Sequence, residues 1–300
     1  MRTFKLYNGI EIPAIGIGPG GMPAVKGFAG RDIFSRVLRK FYAAPKVHRD
    51  YVSSVAAAIK SGYRLIDFAA IYGNGGYIAD AIDMSGVSRK DVFLTGRISN
   101  KAQFAGPQAV ESQIRMILDQ YRTDYVDLLM FHWPVPECYE KTWEVICNAY
   151  EKGVARSIGV ANCTRPHLER LMTCGLKPMV NQFEVHPLFT QKQLVSYCQG
   201  LSIQVEAYTA IARFDSRLMG RPALKLIAQA HSKAPAQVVL RWHIQNGVLP
   251  VIRSLNPERQ RQNIDIFDFE LSKEEIAVID GLNINSRLRH DPDNCDFTVL

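Results

Sequence analysis

No apolar run in the 300 residues is long enough to cross a membrane as a helix. The opening Met1-Arg2-Thr3-Phe4-Lys5 lacks the apolar core of a secretory leader. The six cysteines (Cys138, Cys147, Cys163, Cys174, Cys198 and Cys295) form no CxxC and no paired metal spacing. That argues against a disulfide framework and against a metal ribbon, and predicts reduced thiols in a cytoplasmic protein. No serine sits on a nucleophile elbow, and no cluster of ligating side chains has metal spacing. The glycine-rich Gly16-Ile17-Gly18-Pro19-Gly20-Gly21 is a poor dinucleotide fingerprint, because Pro19 intervenes and no helical pattern follows. The net charge of +7 is spread along the chain, and no nucleic-acid motif accompanies it. A basic pocket for a phosphorylated ligand or an ordinary solvated surface accounts for the surplus.

What is present is ordinary globular composition, 47% hydrophobic and 22% charged, with ample length for a large core. Phe4–Pro13 reads as a hairpin turning at Asn8-Gly9. Ala14–Gly18 is a short apolar strand, and residues 19–50 are irregular, with a basic helical stretch over Asp32–Phe41 that Pro45 breaks. Tyr51–Ser61 is helical by its apolar spacing. A rhythm follows: strand-like runs at 64–69, 92–97, 125–132, 156–162, 179–185, 203–209 and 249–254. Helical segments lie between them at Tyr77–Met84, Pro107–Tyr121, Tyr139–Glu151, Arg165–Cys174, Gln191–Gln199 and Pro222–Ser232. The strands are apolar rather than alternating, as in a parallel sheet covered by helices. Eight such units predict a (β/α)8 TIM barrel in a single domain over 1–300, an open doubly wound sheet being the alternative.

The strand ends carry the chemistry. The stretch RLIDFAAIYGNGG places Asp67 inside an apolar strand, where an acid is costly to bury unpaired. Tyr72 follows in a turn-rich loop. Alone, Asp67 reads equally well as a cap or a structural ion pair, and Tyr72 as a packing residue. The other strands exit at Arg97, His132, Asn162, Gln182 with Glu184, Tyr208 and Arg253. In a barrel these ends converge on one face. A phenol beside a cation and a carboxylate can serve as a general acid, since a positive neighbour lowers its pKa from about 10. An adjacent imidazole can orient a carbonyl oxygen. The set suits carbonyl reduction by hydride transfer.

The residues that carry this reading also carry a resemblance. IDFAAIYGN, MFHWP, IGVAN, VNQFEVHP and VIRSLNPERQRQNIDIFDFELS, in this order and spacing, resemble the aldo-keto reductases over nearly the whole chain. The resemblance implies a barrel closed at the bottom by the first hairpin, with NADP(H) extended across the mouth. It implies a catalytic tetrad on Asp67, Tyr72, Arg97 and His132. It implies that Asn162 and Gln182 hold the nicotinamide carboxamide and that Tyr208 stacks on the ring. Arg253, Ser254, Asn256 and Arg259 would grip the 2′-phosphate, and Asn263 the adenine. The substrate is then a small-molecule carbonyl or alcohol, flanked by Trp133 and Met22, with Phe28 and Phe214 as further wall candidates. A monomer without nucleic-acid or membrane partners is expected.

The chain departs from the family pattern at several points. Arg97 stands where the tetrad has lysine, and its planar fork is not a neutral replacement. Arg253 replaces a phosphate-binding lysine, where the fork suits the ligand. Gly75 stands for a glutamate, Ala161 for a serine, and TAIARF for the serine-proline-leucine run after the Tyr208 strand. Residues 19–50 replace a short loop and are expected over the mouth, as a lid or pocket wall. Arg97 also sustains a second reading, a catalytically weakened NADP(H)-binding barrel used as a redox sensor or interaction partner.

Overall fold

The computed structural model describes residues 2–20, 44–69 and 75–300. Strands β1 (Thr3–Lys5) and β2 (Glu11–Pro13) pair antiparallel, Phe4 facing Ile12. Their turn is closed by the Gly9 amide on the Leu6 carbonyl at 2.8 Å, with Gly9 at φ +90°. That left-handed conformation is cheap only without a Cβ. The Tyr7 hydroxyl donates to the Lys177 carbonyl, and Asn8 donates to the Arg156 carbonyl at 3.1 Å. Both acceptors just precede barrel strands, so the hairpin covers the end of the barrel where strands begin.

Eight parallel strands close the barrel: β3 (Gly16–Ile17), β4 (Leu65–Asp67), β5 (Phe93–Ile98), β6 (Leu128–Phe131), β7 (Ile158–Ala161), β8 (Val180–Glu184), β9 (Gln204–Tyr208) and β10 (Val248–Ile252). Each pairs with the next in sequence, and β10 returns to β3 through Val251 opposite Gly16 and Ile252 opposite Ile17. Every residue of β5 to β8 and of β10 is buried. This two-sided burial is why the sequence shows apolar runs instead of alternation. At Gly159 a Cβ would lie 2.8 Å from the Val180 carbonyl oxygen, so only glycine lets β7 approach β8 this closely.

The structure extends and corrects the reading of elements. The helix expected from Tyr51 begins at Ala44 and runs to Lys60 (α1). Pro45 opens it instead of breaking the chain, since a first-turn residue needs no amide hydrogen. Residues 21–43, including the Asp32–Phe41 stretch, lie outside the described residues. Helices α2 (Gly75–Ser85), α4 (Pro107–Tyr121), α5 (Tyr139–Glu151), α6 (Arg165–Cys174), α7 (Lys192–Gly200) and α9 (Pro222–Ala230) fall close to the expected segments. Five others were not anticipated: α3 (Asn100–Ala105), α8 (Ser216–Met219), α10 (Pro235–Gln245), α11 (Pro257–Ile264) and α12 (Lys273–Asp280). Helix α10 buries Ala236 through His243, polar Gln237 and Arg241 included; these two reach the Asp265 carbonyl and Glu270, distant partners that no local pattern marks. Among the described residues no helix is long and apolar enough to cross a membrane, and the six cysteines are free thiols.

Candidate active site

A cleft of about 800 Å³ opens where the barrel strands end. Asp67, Arg97, His132, Asn162, Gln182, Tyr208 and Arg253 all line it. Residues far apart in sequence therefore meet in one place, for the reason the barrel topology dictates.

At its floor, Arg97 Nη2 donates to Asp67 Oδ1 at 2.5 Å and to Gln182 Oε1 at 2.8 Å. Both charged residues are buried, Arg97 at 5% and Asp67 at 8% exposure. A buried pair survives desolvation only when its geometry and remaining hydrogen bonds are good, and here the guanidinium serves two acceptors. Gln182 Nε2 in turn donates to Glu206 Oε2 at 2.8 Å. Glu206 is a residue that sequence reasoning missed. Within IQVEAYT it looks like one more strand position, and its register opposite Gln182 appears only in the sheet.

Above this floor, burial pushes the His132 imidazole down to about 3, with help from the Arg97 and Arg289 charges. The ring is neutral at physiological pH and so can offer an N–H to an oxygen without carrying charge. Asn162 takes φ +60° as the chain leaves β7. Its Nδ2 donates to the His132 carbonyl at 2.9 Å, and its Oδ1 accepts from the Tyr208 hydroxyl at 2.7 Å. Burial raises the Tyr208 pKa, so that phenol stays protonated. Each amide, Asn162 and Gln182, retains one donor and one acceptor position beyond these bonds.

The basic end of the site lies past β10. Arg253 is exposed and lines the cleft, while Ser254, Asn256, Arg259 and Asn263 lie beyond the lining residues. The Asn256 side chain accepts from the Arg259 amide at 3.0 Å, which makes it the N-cap of α11. Its oxygen thus spends one of its two acceptor positions on the cap. Arg259 is exposed at the start of that helix and Asn263 is buried on its inner side. Among the described residues, neither Arg253 nor Arg259 pairs with a carboxylate.

Tyr72 and Met22, together with Phe28, lie outside the described residues. Trp133 is buried against the cleft and Phe214 is exposed at its rim. One position differs from expectation. Glu184 does not face the cleft. Fully buried, it accepts the Leu288 amide at 2.7 Å, the Arg289 amide at 3.0 Å, and contacts His186 Nε2 at 2.9 Å. It ties down the start of the C-terminal tail. That tail then lines the cleft through Arg289, His290, Val299 and Leu300, with His290 and Phe297 rings against Trp133 at 6.3 and 6.4 Å. No local signal marks such long-range contacts. Gly75, one of the departures from the family pattern, stands where a Cβ would press into the Gln120 side chain.

The model for the aldo/keto reductase family matches residues 43–284. A glyoxal reductase of Bacillus subtilis is 38% identical over 296 residues, covering 98% of each chain. A methylglyoxal reductase, DkgA, of Yersinia pestis is 37% identical over 243 residues, covering 80% of this chain and 86% of that one. Among solved structures, a Bombyx mori aldo-keto reductase in complex with NADP superposes with a TM-score of 0.81 at 31% identity, covering 97% of this chain and 96% of that one.

Proposed function

The chain belongs to the aldo/keto reductase family and is an oxidoreductase of that type, and from this premise we propose that it reduces small aldehydes or ketones to alcohols with NADPH. The observation that carries the reading is the floor of the cleft, where the buried Arg97–Asp67 pair lies below a neutral imidazole. Glyoxal and methylglyoxal, which the relatives' names point to, are the first substrates to try.

The residues present fit an extended phosphorylated dinucleotide. Two amides with spare hydrogen-bonding positions line the cleft, as does Arg253, and beyond it stands Arg259; neither arginine pairs with a carboxylate among the described residues. A Cβ at Gly20 would come within 3.0 Å of Arg253 Nε, so the glycine leaves that guanidinium accessible. When bound, NADPH supplies the hydride. Asn162 and Gln182 hold its carboxamide, Tyr208 covers the ring, and Arg253 with Arg259 takes the 2′-phosphate.

His132 donates its N–H to the carbonyl oxygen and orients it. Tyr72 gives that oxygen a proton as the carbon is reduced. Arg97 supplies the positive charge that eases proton loss from the phenol, as the lysine of the family pattern would. Trp133 and the tail give the carbonyl's substituent an apolar wall and exclude water.

The test is NADPH consumption, followed by its absorbance, with glyoxal, methylglyoxal and a panel of aldehydes and ketones. Turnover that Tyr72→Phe abolishes supports the reading. A parent chain that binds NADPH and reduces no carbonyl overturns it.

A further inference from the structure

Gln182 is held at both ends of its amide. Its oxygen faces Arg97 Nη2 at 2.8 Å and its nitrogen faces Glu206 Oε2 at 2.8 Å. A flipped amide would set donor against donor at Arg97 and acceptor against acceptor at Glu206. One orientation suits both neighbours: Arg97, a donor only, fixes the oxygen end, and Glu206 accepts from the nitrogen end. The side chain that does this is completely buried, and its second oxygen, Oε1, has no partner among the described residues. Buried polar atoms are nearly always satisfied, so an acid retained there needs a reason.

We infer that Glu206 is a positioning residue for the reaction. Its carboxyl fixes the Gln182 amide, the amide oxygen fixes the Arg97 fork, and the fork is held against Asp67. This rests on the reductase reading proposed above.

The charged groups facing Glu206 are Asp67 and Arg97, from β4 and β5. On β8 it meets the neutral Gln182, and on β10 its register partner is the apolar Leu249. Burial, reinforced by the Asp67 charge, pushes its carboxyl up to about 8. At neutral pH it is an acid whose carbonyl oxygen accepts from Gln182 and whose proton sits on the unpartnered oxygen. Among the described residues, the carboxylate that Arg97 then meets is Asp67. Above pH of about 8 a second carboxylate forms beside it and offsets the charge that favours proton loss from the tyrosine.

The experiment compares the parent chain with Glu206→Gln and Glu206→Leu, using NADPH and methylglyoxal. It measures kcat and KM from about pH 6 to about pH 9.5, a range that brackets the titration. Leucine removes the acceptor. It is expected to lower kcat about tenfold or more while KM for the carbonyl stays within about twofold, the signature of a lost transition-state interaction. Glutamine restores an acceptor for Gln182 and cannot ionise. It is expected to retain kcat within about twofold at neutral pH and to lose the decline in rate near pH 8.

The inference is overturned if Glu206→Leu matches the parent, if Glu206→Gln falls as far as Glu206→Leu, or if parent and Glu206→Gln decline at the same alkaline pH. Should the leucine variant not fold, the pH profile of the glutamine variant decides alone. A parent chain inert towards every carbonyl refutes the reductase reading, whereas an active parent with unaffected variants refutes only the role of Glu206.

Discussion

Arg97 and Asp67 are each almost sealed from water, so neither can lose its partner cheaply. Arg97→Met strands a buried carboxylate and is expected to cost about 3–5 kcal/mol of stability, read by urea unfolding at neutral pH. His132 has a pH consequence of definite sign. Its folded pKa, down at about 3, lies below the unfolded value of about 6.5. Between the two, the unfolded chain takes up a proton that the folded chain refuses. The contribution is intact above about pH 6.5 and is lost as pH falls toward 3. Melting temperatures across that range are expected to fall less steeply for His132→Gln than for the parent. Glu206 works the other way: its folded pKa of about 8 exceeds the unfolded value of about 4.3. Its contribution is complete below about pH 4.3 and is lost as pH rises through about 8. Glu206→Gln is therefore expected to melt progressively above the parent over that interval and by a constant margin beyond it.

Among the elements, the start of the C-terminal tail is held by Glu184, and its end by Asn100 and Trp133. Glu184→Ala leaves the Leu288 and Arg289 amides and His186 without their acceptor, each costing about 1–3 kcal/mol if it remains buried. The expected result is faster proteolysis within residues 286–300 and a raised KM for the carbonyl, with NADPH binding little changed. The strand pair β7–β8 has a different weak point. At Gly159 an alanine methyl would meet the Val180 backbone, which has no side-chain freedom to yield. Gly159→Ala is expected to destabilise by about 1–3 kcal/mol, measured by denaturant unfolding.

Across the whole molecule, the surplus of +7 and Arg253 and Arg259, which pair with no carboxylate among the described residues, favour a ligand with an added phosphate. Replacing both with alanine is expected to weaken NADPH binding at least about tenfold, since charged hydrogen bonds contribute about 1.5–3 kcal/mol each. NADH binding should change far less, and the difference between the two should shrink at high salt. Fluorescence titration of both cofactors checks it.

The sequence by itself determined the order of the barrel strands and of the helices that alternate with most of them, because two-sided burial leaves apolar runs and turn residues punctuate them. It also determined which ends carry polar groups, and barrel topology alone brings Asp67, Arg97, His132, Asn162, Gln182, Tyr208 and Arg253 to one cleft. Only the tertiary structure decided how those groups share their hydrogen bonds. Arg97 reaches Gln182 as well as Asp67, Asn256 spends its oxygen on a helix cap, and Glu184 turns to the tail. Helix α10 and the acid at Glu206 were missed for one physical reason: their polar groups find partners far along the chain, Arg241 at Glu270 and Glu206 at the Gln182 that register sets opposite it.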